Sequence, residues 1–415
     1  MKDLQHKYLL LLYLSKTKIV LSLLLCLFIT NACIEPFEEA EFVEGFEDIL
    51  VVNATITNEQ KRQEVILNRS FEFGEEDIPT EEGAEVFISD ESGNELTFSE
   101  VTPGRYISDI AFAAEMGKEY VLNIVTSQGQ AYRSSAMQLP TETTTIDRLY
   151  VERFINNDGI DGLGIFIDSF DSNNSSKFYR HEYVENFKII APFWSPFDAV
   201  VVTEGISTFD IRAILREQEE RVCYGENLSK DIILNSTLNL SEDRLDRAMV
   251  RFIDSDDYVL THRYSILIKQ FVQSPEAFSY YETLKGLSQT SGNVFSEDQP
   301  GFLQGNVSSV QNPNENVAGF FEIVASDEKR IFFNYEDYFP GEELPPYFAD
   351  CVISAPLTEG SLGERELLNL IYDDVLRFYD FNNGVMPGGP FLMVRKECGD
   401  CTTLGSNKIP DFWIE

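Results

Sequence analysis

The segments Gly83-Ala-Glu-Val-Phe-Ile88, Gly104-Arg-Tyr106 and Gly117-Lys-Glu-Tyr-Val-Leu122 are rich in β-forming residues, and each begins at a glycine. Turn sequences such as Pro103-Gly104 separate these segments from their neighbours. Short strands with turns this frequent are typical of an immunoglobulin-like β-sandwich. The pattern therefore predicts such a sandwich over residues 49–140, with a boundary at Pro140 and the threonine-rich stretch after it.

Residues 141–415 continue the β-rich pattern, but less regularly. One helix is well signalled, because Ser274 can cap it, Pro275 fits its first turn, and Ala277, Tyr281 and Leu284 recur on one face. The expected fold is therefore mainly β: the N-terminal sandwich, followed by a larger β-rich domain, 141–415, with a few short helices.

The chain is strongly acidic, with 70 Asp and Glu against 32 Lys and Arg and a formal net charge of −38. A surface this negative repels phosphate backbones, which excludes nucleic acid as a partner. Its hydrophobic content of 43% is sufficient for a folded core.

Residues 1–32 have the order of a secretory signal. Lys16 and Lys18 precede the apolar block 19–28, and Ala32 stands directly before Cys33. This ending resembles a bacterial lipoprotein signal, in which Cys33 becomes the lipidated first residue that anchors the chain in a membrane. A simple secretory signal and an uncleaved anchor are the alternatives, although a spanning helix needs roughly 17–25 apolar residues.

An acidic segment follows Cys33. Its acids are Glu35, Glu38, Glu39, Glu41, Glu44, Glu47 and Asp48. A segment with so little apolar surface predicts an extended tether over residues 33–48. It also resembles the acidic signal that sends Bacteroidota lipoproteins to the outer face of the outer membrane. The expected location is the outer membrane, lipid-anchored at the cell surface; a solvated linker without a sorting role is the alternative.

Four further cysteines lie after the signal and Cys33, namely Cys223, Cys351, Cys398 and Cys401. In an exported chain this even number predicts two disulfides, with three pairings open. We expect at least one long-range link from the C-terminal tail, with a Cys398–Cys401 pair as the competing arrangement. Half of a zinc site or a redox pair is disfavoured, since the chain has one CxxC and three histidines.

Several motifs, taken in order, resemble a Bacteroidota lipoprotein family called domain of unknown function 4249. The motifs are Cys33-Ile-Glu-Pro-Phe37, His262-Arg-Tyr-Ser-Ile-Leu-Ile-Lys-Gln270, Pro275-Glu-Ala-Phe-Ser-Tyr-Tyr281, Gly292-Asn-Val-Phe295, Gly305-Asn-Val307, Val317-Ala-Gly-Phe-Phe321, Lys329-Arg-Ile-Phe-Phe333, Cys398-Gly-Asp-Cys401 and Lys408-Ile-Pro-Asp-Phe-Trp413. The resemblance implies an outer-membrane lipoprotein that is often encoded beside a TonB-dependent receptor. It implies no catalytic residue.

The sequence offers little sign of catalysis. It has no G-x-S-x-G, H-E-x-x-H, P-loop or G-x-G-x-x-G motif. After the signal, a Ser-His-Asp site would need His181 or His262, and each is expected to be a strand residue satisfied by a neighbour. No catalytic residue and no cofactor are therefore predicted, and a glycan-active enzyme is a remote alternative.

Two segments are candidates for binding. Asp158 and Asp161, in an Asn- and Gly-rich run, supply the hard oxygens that calcium prefers, but an ordinary Asx-Gly turn is the favoured interpretation. Phe193, Trp194 and Phe197 lie between prolines, so they are expected on a loop, either as a partner surface or buried between domains.

These observations favour a non-catalytic surface lipoprotein that assists a TonB-dependent receptor in ligand capture or uptake. The alternative is a free-standing protein of cell-surface adhesion or envelope structure.

Replacing Cys33 with Ser removes the only residue at the junction that can be acylated. We expect the variant to leave the membrane fraction, as measured by fractionation and immunoblotting. Retention in washed outer membrane at high salt would contradict the lipid anchor.

Overall fold

The computed structural model describes residues 48–71, 78–141, 145–204, 209–290, 302–358 and 365–415. The strands are β1 (Leu50–Thr57), β2 (Glu64–Arg69), β3 (Glu85–Asp90), β4 (Glu95–Thr102), β5 (Arg105–Ser108), β6 (Glu119–Val125), β7 (Ala131–Ser134), β8 (Met137–Gln138), β9 (Arg148–Ile155), β10 (Asp161–Phe170), β11 (Phe178–Ile190), β12 (Phe197–Glu204), β13 (Phe209–Leu215), β14 (Val222–Leu228), β15 (Ile233–Ser236), β16 (Arg244–Asp254), β17 (Arg263–Val272), β18 (Val307–Ser309), β19 (Val317–Asn334), β20 (Leu376–Phe381) and β21 (Phe391–Arg395).

The helices are few and short, apart from the one that the sequence signalled. They are α1 (Pro275–Thr290), α2 (Glu366–Tyr372) and α3 (Lys396–Gly399), with single 3₁₀ turns at Tyr258–Leu260, Tyr335–Asp337 and Cys401–Thr403. Ser274 accepts a hydrogen bond at its side chain from the Ala277 amide, as expected of a cap. The prediction of a mainly β fold with a few short helices is confirmed.

One large sheet dominates the molecule. Twelve strands follow each other in the order β14-β11-β17-β19-β1-β2-β5-β4-β3-β6-β7-β18, while β15 pairs with β11 and β8 with β6. Smaller sheets are formed by β16-β10-β9, by the hairpin β12-β13 and by the hairpin β20-β21. Most neighbours are antiparallel, which suits strands joined by tight turns.

The strands before residue 140 form where local sequence favours them. In β1, Leu50, Val52, Ala54 and Ile56 are buried at alternate positions, as a strand with one core-facing side requires. Gly104 has a φ of +70°, and a Cβ there would lie 2.5 Å from the Leu67 carbonyl oxygen. The strand and turn pattern is thus present, and the immunoglobulin-like topology stays a prediction.

Strand β19 has 18 residues and pairs with two different parts of the chain. Val317–Val324 runs parallel to β1, and the following residues run antiparallel to β17. The described residues from 49 onward, apart from Phe71, form one compact unit. The division into domains at residue 140 stays a prediction, but the sheet itself continues across it.

The far edge of the sheet also returns to β19. Asn306 lies just before β18, which pairs with β7. Its side chain donates to the Phe321 carbonyl at 2.8 Å and accepts from the Phe321 amide at 2.9 Å. The amide side chain thus supplies both bonds that a neighbouring strand would make, so the sheet curls back upon β19.

Gly319 allows β19 to approach β1 closely. It has a φ of +90°, and an added Cβ would lie 1.8 Å from the Val52 carbonyl oxygen. The Val52 carbonyl belongs to β1, so it cannot move away without breaking the pairing of β1 with β19. No residue larger than glycine therefore fits at position 319.

We expect Gly319→Ala to lower the free energy of unfolding by more than about 2 kcal/mol, because it combines backbone strain with a clash. Gly286→Ala is the matched control, since Gly286 lies on α1 with nothing within 4 Å of its added Cβ. The control should be neutral or stabilise the helix by up to about 1 kcal/mol. Equal effects of the two substitutions in urea unfolding would contradict this role of Gly319.

Candidate functional site

Among the described residues, one face of the large sheet is covered at both ends and open between them. At one end α1 lies against β11 and β19, where Phe278 packs on Phe178 and Tyr280 on Phe320, and its Tyr281 ring lies 4.7 Å from the Arg180 guanidinium. At the other end the C-terminal tail crosses the sheet, where Trp413 packs on Tyr224 at 4.9 Å and on Phe332 at 5.8 Å. The open strip between α1 and the tail is the candidate site.

The strip forms a cleft of about 950 Å³. Its lining comes from β1, β2, β11, β17, β19, α1 and the segment after β14. Glu182, Lys269 and Glu328 lie side by side across three neighbouring strands and mark its centre. Elements distant in sequence therefore build one concave surface, the usual form of a ligand site.

A buried ion pair lies beneath the α1 end of the cleft. The Arg180 Nη2 lies 2.6 Å from the Glu322 Oε1, and their side chains are 7% and 0% exposed. Glu322 also accepts from Thr55 at 2.8 Å and from Gln273 at 2.6 Å. These bonds offset much of the cost of removing the carboxylate from water.

The Arg180 guanidinium is held on several sides. The Phe271 ring lies 4.7 Å from it, as does the ring of Tyr281, and its other amino group bonds the Glu182 carboxylate. Burial opposes the charged form, but Glu322 outweighs it and raises the pKa of Arg180. Arg180 therefore stays charged and fixes the position of Glu182 in the cleft.

The charge balance of the cleft differs from that of the whole chain. Its lining includes five bases, Lys61, Arg62, Arg180, Lys230 and Lys269, and six acids, Glu59, Glu64, Glu182, Asp231, Asp327 and Glu328. In the whole chain acids outnumber bases by 70 to 32. The cleft is thus nearly neutral in a strongly acidic protein.

His181 lies on β11 with its side chain turned into the core. Its Nε2 lies 3.2 Å from the Gln270 Oε1, and its Nδ1 lies 3.4 Å from the Asn235 amide nitrogen. Burial lowers the pKa of His181 to about 4, so the ring is neutral at pH 7. The expectation of a histidine satisfied by neighbours holds for this residue.

The C-terminal cysteines form two disulfides, Cys223–Cys401 and Cys351–Cys398. The first spans 178 residues and joins the tail to β14. Each cysteine of the CxxC thus bonds a distant partner, which is the long-range arrangement rather than the local Cys398–Cys401 pair. Both thiols of the motif are engaged, so they act as crosslinks between the tail and the body.

The aromatic loop between β11 and β12 packs largely against its own chain. Phe193 is half-buried against Tyr379 at 5.2 Å, and its amide donates to the Cys398 carbonyl at 3.0 Å. Trp194 packs on the main core, whereas Phe197, the first residue of β12, is 40% exposed. The structure therefore does not bring the three rings together as one exposed surface.

The Asp158 and Asp161 segment forms an Asx turn. The Asn156 Oδ1 accepts from the Asp158 and Ile160 amides at 2.9 and 3.0 Å. The Asp161 carboxylate bonds Arg153 at 2.6 Å. Within the described ranges, no group of three or more His, Cys, Asp or Glu side chains has a metal-binding arrangement.

Cys33 and the tether up to residue 47 lie outside the described residues. Among the helices of the described part, none is long and apolar enough to cross a bilayer.

The model of a domain of unknown function, DUF4249, matches residues 34–330. The chain belongs to this family. No curated protein matches it.

Every residue that lines the cleft falls within the range that matches the DUF4249 model. The C-terminal tail, which covers the end of the sheet face opposite α1, lies beyond that range, and so do Cys351, Cys398 and Cys401. The cleft thus belongs to the family domain of this chain.

Sequence reasoning did not find this cleft. Its residues come from segments between positions 51 and 328, and no local motif joins them. One signal was available: Arg180 and Glu182 occupy alternate positions of β11, and most other residues of this strand are apolar or aromatic. Charged residues at alternate positions of a long strand indicate that this face of the strand is not packed into the apolar core.

We expect Arg180→Met to destabilise the protein by about 3–5 kcal/mol, because it leaves the Glu322 carboxylate buried without its partner. Arg148→Met is the control, since the Arg148 side chain is 68% exposed and lies 3.5 Å from Asp168. Its cost should stay below about 1 kcal/mol. Urea unfolding measures both, and a small loss for Arg180→Met would show that Glu322 is satisfied by other groups.

Proposed function

We propose that this DUF4249 protein is a cell-surface lipoprotein of the outer membrane. In this proposal it captures a ligand in the cleft and works beside a TonB-dependent barrel, without catalysing a reaction. The observation that carries the ligand-binding part is the cleft itself. Its volume of about 950 Å³ lies within the range of about 300–1,000 Å³ that is typical of small-ligand sites.

The sequence before residue 48 supports the membrane part of the proposal. The signal ends at Cys33, and the acidic tether follows it directly. An anchored protein meets a barrel in the same membrane at a high effective concentration, so even a weak contact between them would suffice for transfer.

The lining of the cleft supports binding rather than catalysis. Of its six carboxylates, those of Glu59, Glu64 and Glu182 are each bonded by a base, namely Lys61, Arg105 and Arg180. The Asp327 carboxylate accepts from the Ile146 amide at 2.7 Å, and the remaining two, Asp231 and Glu328, are exposed to water. The His181 ring points into the core and is 1% exposed as a residue. Groups held in this manner suit recognition of a ligand, since general acid–base catalysis needs a free group with a matched pKa.

The second candidate, free-standing adhesion, also has an observation in its favour. The hairpin β12-β13 exposes Val200, Val202, Ile214 and Leu215, which are 41%, 42%, 43% and 63% exposed. Exposed apolar side chains on one hairpin are typical of a surface that meets another protein. A contact of this kind could serve a barrel or an external partner.

Purification of the tagged protein from detergent-solubilised outer membrane separates the two candidates. We expect a TonB-dependent barrel to co-purify in near-equal amount, identified by mass spectrometry. The Cys33→Ser variant is the matched control and should bring down far less barrel, because it loses the shared membrane. Recovery of the wild-type protein alone, after crosslinking in intact cells, would favour the free-standing role and reject the partnership.

A further inference from the structure

We propose that the cleft binds an anionic ligand with an apolar body, and that Lys269 holds its anionic oxygens. The proposal deepens the proposed function, on which it rests for the role of the cleft.

The first observation is that the cleft contains cations without partners. Among the described residues, the side chains of Arg62, Lys230 and Lys269 make no ion pair or hydrogen bond. Most described bases elsewhere form an ion pair, for example Arg148, Lys177 and Arg251, as expected in a chain with a twofold excess of acids. Three unpaired cations around one cleft are therefore unexpected in a chain where acids outnumber bases. They favour a ligand of negative charge.

The second observation is that neighbouring carboxylates are engaged elsewhere. Lys269 lies opposite Glu182 on one neighbouring strand, but Arg180 bonds that carboxylate. The Glu59 carboxylate is held by Lys61 at 2.6 Å and by the Ser326 hydroxyl at 2.9 Å. Burial raises the pKa of Glu59, but the bonds from Lys61 and Ser326 and the charges of Lys61 and Lys269 lower it overall. Lys269 thus acts on Glu59 as a charge at longer range, and within the described residues its ammonium donors make no direct bond.

Free acids are fewer than free bases here. Glu328, opposite Lys269 on the other side, and Asp231 have no bond to a described group. Both are exposed, whereas Lys269 is half-buried in the strip. Water screens the two exposed acids more strongly, so the half-buried lysine dominates the field at the centre of the cleft.

The third observation is an apolar wall at the α1 end. The Tyr280 ring packs on Phe320 with 4.9 Å between the ring centroids, and both line the cleft together with Leu284, Phe271 and Tyr281. Aromatic rings beside a cation suit a ligand that joins an apolar body to an anionic group. Carboxylate and phosphate share this chemistry, since a lysine recognises either one as a point charge.

Two fluorescent probes of the same skeleton test this directly. They are 8-anilinonaphthalene-1-sulfonate, which is anionic, and N-phenyl-1-naphthylamine, which lacks the sulfonate. The protein used is residues 34–415, which keeps the compact unit and both disulfides. We expect saturable binding of the anionic probe at one site, at least about tenfold tighter than that of the neutral probe, as a charge-assisted contact of about 1.5–3 kcal/mol implies.

Lys269→Gln should weaken the anionic probe about tenfold and leave the neutral probe unchanged. Lys408→Gln is the control, because the Lys408 side chain also makes no ion pair or hydrogen bond with a described residue but lies outside the cleft; it should change neither affinity. Circular dichroism and urea unfolding verify that each variant is folded. Titration with benzoate and with phenyl phosphate as competitors then distinguishes the two sources of negative charge.

Three results would overturn the proposal. Equal affinity of wild type and Lys269→Gln for the anionic probe would remove Lys269 from the site. Tighter binding of the neutral probe would show an apolar cleft without anion recognition, and the proposed capture function would survive. Absence of saturable binding by either probe would reject this ligand class, whereas the partnership with a barrel is tested separately by the co-purification.

Discussion

Strand β19 is the constraint on which the rest of the structure depends. Its first half extends β1 as a parallel neighbour, and its second half extends β17 as an antiparallel one. Partners such as Thr55 and Glu322 stand 267 residues apart in sequence. Closing so long a loop costs conformational entropy before any contact between the strands can stabilise it. This pairing is therefore expected to form late in folding.

The cleft exists because of this shared strand. Its α1 wall and its β1 wall both contact β19, and the Arg180–Glu322 pair joins β11 to β19 beneath them. A buried ion pair adds little net stability but penalises other arrangements, because a shift of either strand leaves a charge unpaired. The pair therefore sets the register of the strands that carry the ligand-facing residues.

Local features of the fold could be predicted from sequence. The turns at Gly104 and Gly117 and the cap at Ser274 follow from short-range chemistry, and the structure contains all three. The two disulfides could be predicted from the number of cysteines and the expected export of the chain, although the sequence left three pairings open. The pairing of β19 with β1 could not be predicted, since nothing local in Val317–Val324 specifies a partner so distant. The half-buried positions of Phe193 and Trp194 could not be predicted either, because they depend on non-local packing that includes the bond from the Phe193 amide to the Cys398 carbonyl. The cleft likewise depends on the pairing of strands that are distant in sequence.

Hydrogen exchange with mass spectrometry tests the central role of β19 most directly. Amides of residues 50–57, 263–272 and 317–334 should share one opening free energy, close to that of global unfolding, because the two pairings of β19 form a single cooperative sheet. Exchange of residues 50–57 and 317–324 at a clearly lower free energy, with residues 263–272 and 325–334 still protected, would contradict the account. It would show that the two halves of β19 belong to separately folding units.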